Sequence, residues 1–292
     1  MQELLPTFEP TEADLIERAL IEPFEKKVDR SIATLRAYEG VALKQNPLGY
    51  NLRFSGGKDS CVIDWLCKIS GVKHYKTFSN TTIESPELVE FVKTHHPDAE
   101  WIDSGRGHLI LDRMVEKMNM PTRRGKWCCD EYKNCCSNSS CETSVKVIGV
   151  RIAESKKRAG TWKTLTTTKR GDVVVAPIAY WTDEDVWELI HSQKIPYCKL
   201  YDEGFKRIGC VGCPINPKSR EKEFERWPEM KAMWMEGARR CWEKGQTVMN
   251  NKGEKYYVAK FDSPEALFEW WLTGQKDEPD GNCVFTEMME NT

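Results

Sequence analysis

The sequence predicts an α/β fold: a parallel β-sheet covered by helices on both faces, followed by a helical C-terminal extension. Two observations carry this. Short apolar runs of strand length alternate with longer stretches of helical periodicity, the pattern of a doubly covered parallel sheet. The first such run, YNLRF, passes straight into SGGKDS, a strand–glycine–helix junction of the kind found at the carboxyl end of such a sheet.

The elements follow in order. From Thr11 to about Gln45, Leu15, Ile16, Ala19 and Leu20, then Ile32, Leu35, Val41 and Leu43, fall at helical spacing, which predicts two helices broken near Pro23. Tyr50 to Phe54 reads as a buried strand and Asp59 to Ser70 as a helix burying Cys61, Val62, Trp65, Leu66 and Ile69. Residues 72–79 read as a second strand, Ser85 to Thr94 as a helix with Pro86 in its first turn, Ala99 to Ile102 as a third strand, and Leu109 to Met118 as a helix. The stretch 127–141 is loop-like. VKVIGVR (145–151) and DVVVAPI (172–178) read as strands, and residues 182–193 as a helix with Thr182 as N-cap and an acidic first turn. Beyond Pro217 the chain reads as helical, with Trp227, Trp234, Trp242, Trp270 and Trp271 expected to pack a cap and the last residues expected to be loose. The predicted organisation is 1–47, N-terminal helices; 48–216, the sheet domain; 217–292, the helical extension.

A length of 292 residues suits one large domain with additions, or two small ones. The net charge of −2 argues against a domain held to nucleic acid by bulk positive charge, although Lys156, Lys157, Arg158, Lys169 and Arg170 make local basic patches. No apolar run is long enough to span a membrane, and the acidic stretch MQELLPTFEPTEADL lacks a signal-peptide layout. A cytoplasmic location is expected. Twelve cysteines then call for an explanation other than disulfides.

In the loop, Gly56 and Gly57 let backbone N–H groups approach an anion, and the helix N-terminus adds its positive dipole end. Ser55 and Ser60 offer hydroxyls and Lys58 a point charge; the spacing is not that of a Walker A loop. A plain surface turn is the competing reading. Arg151, Glu154 and Arg158 follow a strand end, where they could hold phosphate or sulfate or simply form a solvated turn. Lys206 and Arg207 are either charge-neutralising groups or surface residues. Cys128 and Cys129 form one pair, and Cys210 and Cys213 a CxxC; four thiolates could hold zinc or a [4Fe–4S] cluster. Adjacent cysteines diverge, which is awkward for one zinc and favours the separate iron corners of a cluster. Cys135, Cys136 and Cys141 crowd the same segment. Cys61, Cys67 and Cys241 read as core, and His95 and His96 as capping or surface residues; His74, His108 and His191 show no metal spacing.

SGGKDS resembles the PP-loop of the ATP-pyrophosphatase superfamily. NTTIESPE (80–87), IGVRIAESKKR (148–158) and the span from WTDEDVWELI to IPYCKLYDEGFKRIGCVGCPI (181–215) resemble further segments of its phosphoadenosine phosphosulfate (PAPS) reductase domain family, especially phage-type members, over roughly residues 48–216. The resemblance implies an adenine nucleotide α-hydrolase-like fold. It implies ATP, or PAPS or adenylyl sulfate, bound by Ser55, Gly56, Gly57, Lys58, Asp59, Ser60, Asn80, Arg151, Glu154 and Arg158, with Mg²⁺ if ATP is the nucleotide. Lys58, Asp59, Lys133 and Arg151 take the catalytic roles. Cys128, Cys129, Cys210 and Cys213 match the ligands of a [4Fe–4S] cluster in adenylyl-sulfate reductases, with zinc as the alternative.

Three activities fit this resemblance. One is ATP-dependent sulfur transfer to an adenylated acceptor, fed by a sulfur donor and with nucleic acid among the acceptors; the unbroken SGGKDS suits ATP, whereas reductases carry altered loops. Another is reduction of a sulfonucleotide to sulfite with a thioredoxin-like reductant, for which that family uses a late ECG-x-H-type cysteine; Cys283 here stands in DGNCVF. The third is a nucleotide-binding subunit without turnover.

Overall fold

The structure, a computed structural model, describes residues 17, 20–103, 109–134, 144–154, 161–168 and 171–274. The first of the two helices expected near the N-terminus, the basic patches at 156–158 and 169–170, His108, Cys135, Cys136, Cys141 and Cys283 lie outside them. The chain forms two compact units. One comprises Met1–Phe78, Phe91–Glu100 and Asn138–Gly204; the other comprises Ser79–Glu90, Trp101–Ser137 and Phe205–Thr292.

The first unit carries the sheet. In chain order the elements from the N-terminus are α1 (Phe24–Gln45), β1 (Tyr50–Phe54), α2 (Lys58–Ser70), β2 (His74–Ser79), α3 (Pro86–His95), β3 (Ala99–Ile102), α4 (Ile110–Lys117), which belongs to the second unit, β4 (Lys146–Val147), β5 (Leu165–Thr167), β6 (Val173–Val175) and α5 (Asp183–Ser192). The boundary between the units crosses β2, α3 and β3. The strand order is β3-β2-β1-β4-β6-β5. β1 pairs in parallel with β2 and β4, and β4 in parallel with β6. Successive strand residues point to opposite faces, yet Tyr50, Asn51, Leu52 and Phe54 are all buried, so β1 is covered on both sides. Asn51, a polar side chain at the centre, accepts from the Thr77 hydroxyl at 2.8 Å, and Tyr50 donates to the Leu35 carbonyl of α1 at 2.7 Å.

Two expectations need correction. The sheet is mixed, because β5 runs antiparallel to β6 at the edge; its exposed, Thr-rich residues give no apolar alternation to read. The run 145–151 is not a full strand: only Lys146–Val147 pairs, after which the chain turns toward α2. A Cβ on Gly149 would lie 2.9 Å from Asp59 Cβ, so this residue passes too close to α2 to continue in the sheet.

The second unit is helical: α4, then α6 (Arg220–Arg226), α7 (Pro228–Thr247) and α8 (Pro264–Thr273). α7 packs closely on α4 because Gly237 has no side chain; a Cβ there would meet Met114 and Leu111. Trp234 stacks on Trp271 with centroids 4.5 Å apart, and the Trp271 indole donates to the Pro121 carbonyl at 2.8 Å. Trp227, Trp234, Trp270 and Trp271 are buried, so the late tryptophans pack this helical part. No helix among the described residues is long and apolar enough to cross a membrane.

Candidate functional site

The glycine loop lies in the first unit, between the end of β1 and the start of α2. Gly56 takes φ 72°, the left-handed region open to glycine, and Gly57 is the N-cap of α2 without any side-chain cap. The serines brace the loop from within: Ser60 donates to the Gly57 carbonyl at 2.7 Å, and its oxygen lies 3.3 Å from the Ser55 amide nitrogen. The Lys58 amide donates to the hydroxyl of Tyr201 at 3.0 Å.

Beside the loop, Lys58 and Arg151 are buried cations held by carboxylates. Arg151 donates through Nε to Asp59 at 2.6 Å and through Nη2 to Asp183 at 2.8 Å. Lys58 Nζ lies 3.1 Å from Asp183 and 3.6 Å from Asp59, and Glu154 lies 3.9 Å from Arg151. Partial burial would raise the Asp183 carboxyl, but the hydrogen bond and charge of Lys58, with Arg151, hold it below its ordinary value. Burial likewise opposes the Arg151 charge, while Asp59 and the other carboxylates raise its pKa. The carboxylates hold Arg151 charged, and exposed Asp183 is a counterion shared between Arg151 and Lys58.

A second polar cluster lies beneath the loop. Asp64 is buried on α2, with Lys68 Nζ at 2.7 Å, Lys76 Nζ at 3.3 Å, and His96 Nδ1 and His74 Nε2 each at 3.5 Å. Burial pushes the Asp64 carboxyl up, yet hydrogen bonds from His74, His96 and Lys68 and the charge of Lys76 hold it well below the carboxylate range. His96 was expected at the surface or in a cap; it is buried, tilted against Phe54 at 4.3 Å and 4.0 Å from Cys61 Sγ. Its helix-end position gave no hint that it turns inward onto a carboxylate. Cys61 and Cys67 of α2, and Cys241 of α7, are core residues as expected.

The thiol centre lies in the second unit. Cys129–Lys133 forms one π-helical turn, closed by the Asn134 amide donating to the Cys129 carbonyl at 2.8 Å; such turns recur at functional sites. The Cys210–Cys213 turn is fixed from several sides. Val211 N–H donates to the Ile83 carbonyl at 2.8 Å, the Gly212 amide donates to Glu223 at 2.7 Å, and Trp234 donates to the Val211 carbonyl at 3.1 Å. Gly212 takes φ 74°, and a Cβ there would stand 2.7 Å from both Phe224 and Trp234, so the turn admits only glycine. Thr81 Oγ1 lies 3.3 Å from Cys210 Sγ and donates to Glu84 at 2.5 Å. Its neighbour Thr82 sits at φ 68°, a costly conformation for a β-branched residue.

Cys128 feels the charge of the other three thiols. Cys128 is pushed up, first by its hydrogen bond with Cys129, then by burial and by Cys129, Cys210 and Cys213; Cys129, lowered by the same bond and by Lys133 and Lys126, is the readier thiolate. Burial pushes Cys210 up to about 11, against the charge of Lys133. Lys133 is itself raised, chiefly by Cys210 and further by Glu84 and Cys213. Among the described residues, no group of three His, Cys, Asp or Glu side chains is arranged to hold a metal ion. Among the described residues of this unit, Arg220 Nε and Trp127 Nε1 are buried without a hydrogen-bond partner. Burial brings Arg220 down to about 10, while Cys213 and Glu223 oppose the shift.

Of the residues singled out in the sequence, Ser55, Gly56, Gly57, Lys58, Asp59, Ser60, Arg151 and Glu154 come together in the first unit. Cys128, Cys129, Lys133, Cys210 and Cys213 come together in the second. Asn80 is also in the second unit, donating to Asp103 at 3.0 Å and accepting from the Thr82 amide at 3.1 Å. Lys206 and Arg207 are exposed, and Arg158 lies outside the described residues. Sequence reasoning missed Asp183, Tyr201, Thr81, Glu84 and Arg220. Asp183 was visible only as a first-turn acid, and Tyr201 only as part of a quoted segment.

An α/β sheet with a glycine loop at a strand end, beside buried cations, defines a nucleotide-binding class of fold. Residues 49–216 match the phosphoadenosine phosphosulfate reductase domain family, and the chain belongs to that family. It is 28% identical over 262 residues to an uncharacterized protein of Methanocaldococcus jannaschii, covering 81% of this chain and 52% of that protein. Against an adenosine 5'-phosphosulfate reductase of Staphylococcus epidermidis it is 28% identical, covering 66% of this chain and 82% of the relative. A phage 186 protein is 30% identical over 54% of this chain and 49% of its own. The chain thus spans about half the length of its archaeal relatives, 52% and 54% for two of them. Among solved structures, the PAPS reductase of Candida auris aligns with a TM-score of 0.47 at 14% identity, over 70% of this chain and 98% of that one.

Proposed function

We propose that this chain binds an adenine nucleotide at Ser55–Ser60 and a [4Fe–4S] cluster at Cys128, Cys129, Cys210 and Cys213, and carries out ATP-dependent sulfur transfer. The observation that carries the nucleotide half is the complete loop, with Gly56 and Gly57 bare at the N-terminus of α2 and Lys58 and Arg151 buried alongside as cations. Family membership and the uninterrupted SGGKDS support ATP. In this reading an acceptor oxygen attacks the α-phosphorus of ATP, the α–β phosphoanhydride bond breaks, and pyrophosphate leaves with the electron pair. Lys58, Arg151 and the loop amides stabilise charge developing on the phosphates, with Mg²⁺ as counterion. Hydrosulfide then displaces AMP, forming the carbon–sulfur bond without net oxidation or reduction. Asp59 positions Arg151, and Lys133 offsets negative charge at the thiols. When bound, the cluster supplies iron that can hold sulfur.

The donor set supports a cluster: Cys128 lies within electrostatic reach of Cys129, Cys210 and Cys213, and Arg220, whose Nε is buried without a partner, lies within reach of Cys213. A second reading, sulfonucleotide reduction to sulfite, is favoured by the names of the staphylococcal relatives. The test is anaerobic purification with iron and sulfide analysis, then two assays. Pyrophosphate release from ATP with a sulfur donor and a thiolatable acceptor supports transfer. Sulfite from adenylyl sulfate and a dithiol supports reduction. ATP binding without either product would leave a non-catalytic nucleotide-binding subunit.

A further inference from the structure

We propose that the hydroxyl of Tyr201 is a phosphate-binding group of the nucleotide loop, donating its proton to a phosphate oxygen of the bound nucleotide. This rests on the nucleotide reading above and adds a residue that lies 143 positions away from the loop amide it touches.

The geometry leads there in steps. Tyr201 Oη accepts from the Lys58 amide at 3.0 Å, so the phenol stands on the first N–H of α2, where a helix N-terminus meets an anion. A Cβ built on Gly57 would lie 3.4 Å from the same oxygen, so the hydroxyl rests against the bare face of the glycine turn. Accepting that bond leaves the phenolic proton to be given, and among the described residues it meets no acceptor. Burial, which outweighs the Lys58 bond, keeps the phenol protonated and therefore a donor at neutral pH.

The side chain is built in rather than laid over the loop. Tyr201 closes the 3₁₀ turn Lys199–Tyr201, its ring meets Trp187 edge-on at 5.3 Å, and the Lys58 ammonium lies 5.5 Å from its ring centroid. A mobile cover would lack these supports. A fixed phenol whose oxygen is already held by a backbone N–H instead presents its proton in one direction, as a phosphate cradle requires.

Removing this donor should weaken phosphate binding by about tenfold, the scale of one hydrogen bond to a charged group. The experiment compares wild type and Tyr201→Phe by calorimetry with inorganic pyrophosphate, ATP and adenosine. The phenylalanine keeps the Trp187 contact and the fold. The expected result is about tenfold weaker binding of pyrophosphate and ATP with adenosine unchanged. Unchanged affinity for all three would overturn the proposal. Tighter pyrophosphate binding would overturn it in favour of Tyr201 as a plug that phosphate must displace. An equal loss for adenosine would also overturn it, since that reports a structural role. Failure of wild type to bind ATP or pyrophosphate would instead overturn the nucleotide reading itself, and with it this inference.

Discussion

The glycine loop of the first unit and the thiol turns of the second face opposite electrostatic problems. The loop sets its basic side chains in a buried place with carboxylates already paired to them: Asp59 and Asp183 on Arg151, Asp183 on Lys58. Nothing in that network is left wanting, so an incoming polyanion exchanges with counterions rather than filling a void. The thiol centre is built the other way. The hydrogen bond with Cys129, and then burial, pushes the Cys128 thiol up, and burial pushes Cys210 up, while Lys133 and Arg220 lie within reach of thiol charge. The cations of the first site are paired directly to carboxylates; at the second, Glu84 and Glu223 offset Lys133 and Arg220 in part, and thiolates would add to that balance. An exchanging ligand suits the first and a resident one the second.

The sharpest way to break this contrast is to remove a thiol. Cys213→Ser should abolish the iron and sulfide content of anaerobically purified protein and its brown colour, because a resident group needs all of its anchors. ATP binding should be unaffected, since the loop's partners all belong to the first unit. Full retention of iron by Cys213→Ser and Cys210→Ser would remove the proposed ligand set.

The next effect concerns what the loop stands on. Asp64, on α2, is the buried anion that answers Lys76, Lys68, His74 and His96. Asp64→Asn would leave those groups facing a neutral amide and should destabilise the fold by about 3 kcal/mol, the scale for breaking a buried ion pair from one side. The carboxyl's folded pKa is depressed, so its contribution is present at neutral pH and is lost as pH falls below the ordinary carboxylate range. Denaturation of the two proteins between neutral and acidic pH should therefore show a gap that narrows with acid. A constant gap would mean that the loss comes from packing alone.

How much of this was legible depended on how local the cause was. The glycine loop, the capping box of Thr182 and Asp185, and the CxxC turn are each specified within a few residues, and the sequence displays them. β4 misled because VKVIGVR is strand-like in composition, while the constraint on Gly149 comes from Asp59, 90 residues earlier. Asp183, Tyr201 and the inward turn of His96 were hidden for the same reason: each acquires its role from a partner brought near only by folding. Exposed β5 gave no periodic signal at all.

Lys58→Ala tests whether the compensated network serves the nucleotide. Removing one buried cation should weaken ATP binding by about tenfold to a hundredfold, in the range of a charge-assisted contact. It should also release Asp183 from its Lys58 partner, leaving Arg151 alone to hold it. Iron content should not change. Equal ATP affinity in the variant would detach the lysine from the site.

The smallest expected effect probes the close approach between β4 and the loop. At Gly149 an added methyl would lie 2.9 Å from Asp59 Cβ and 3.3 Å from the Asp59 carbonyl carbon. One of these atoms belongs to the backbone of the first turn of α2, so the contact cannot be relieved by a side-chain rotation alone. Gly149→Ala should therefore displace Asp59 slightly, loosen its 2.6 Å bond to Arg151 and lower ATP affinity by about threefold, well under one hydrogen bond's worth. The variant is informative because it adds no charge and removes none. A measurable drop in ATP affinity with unchanged iron content would show that the loop depends on the position of its counterions as well as on their presence. An unchanged affinity would show that Asp59 can shift by a few tenths of an ångström without consequence, and that the network tolerates more play than its short bonds suggest.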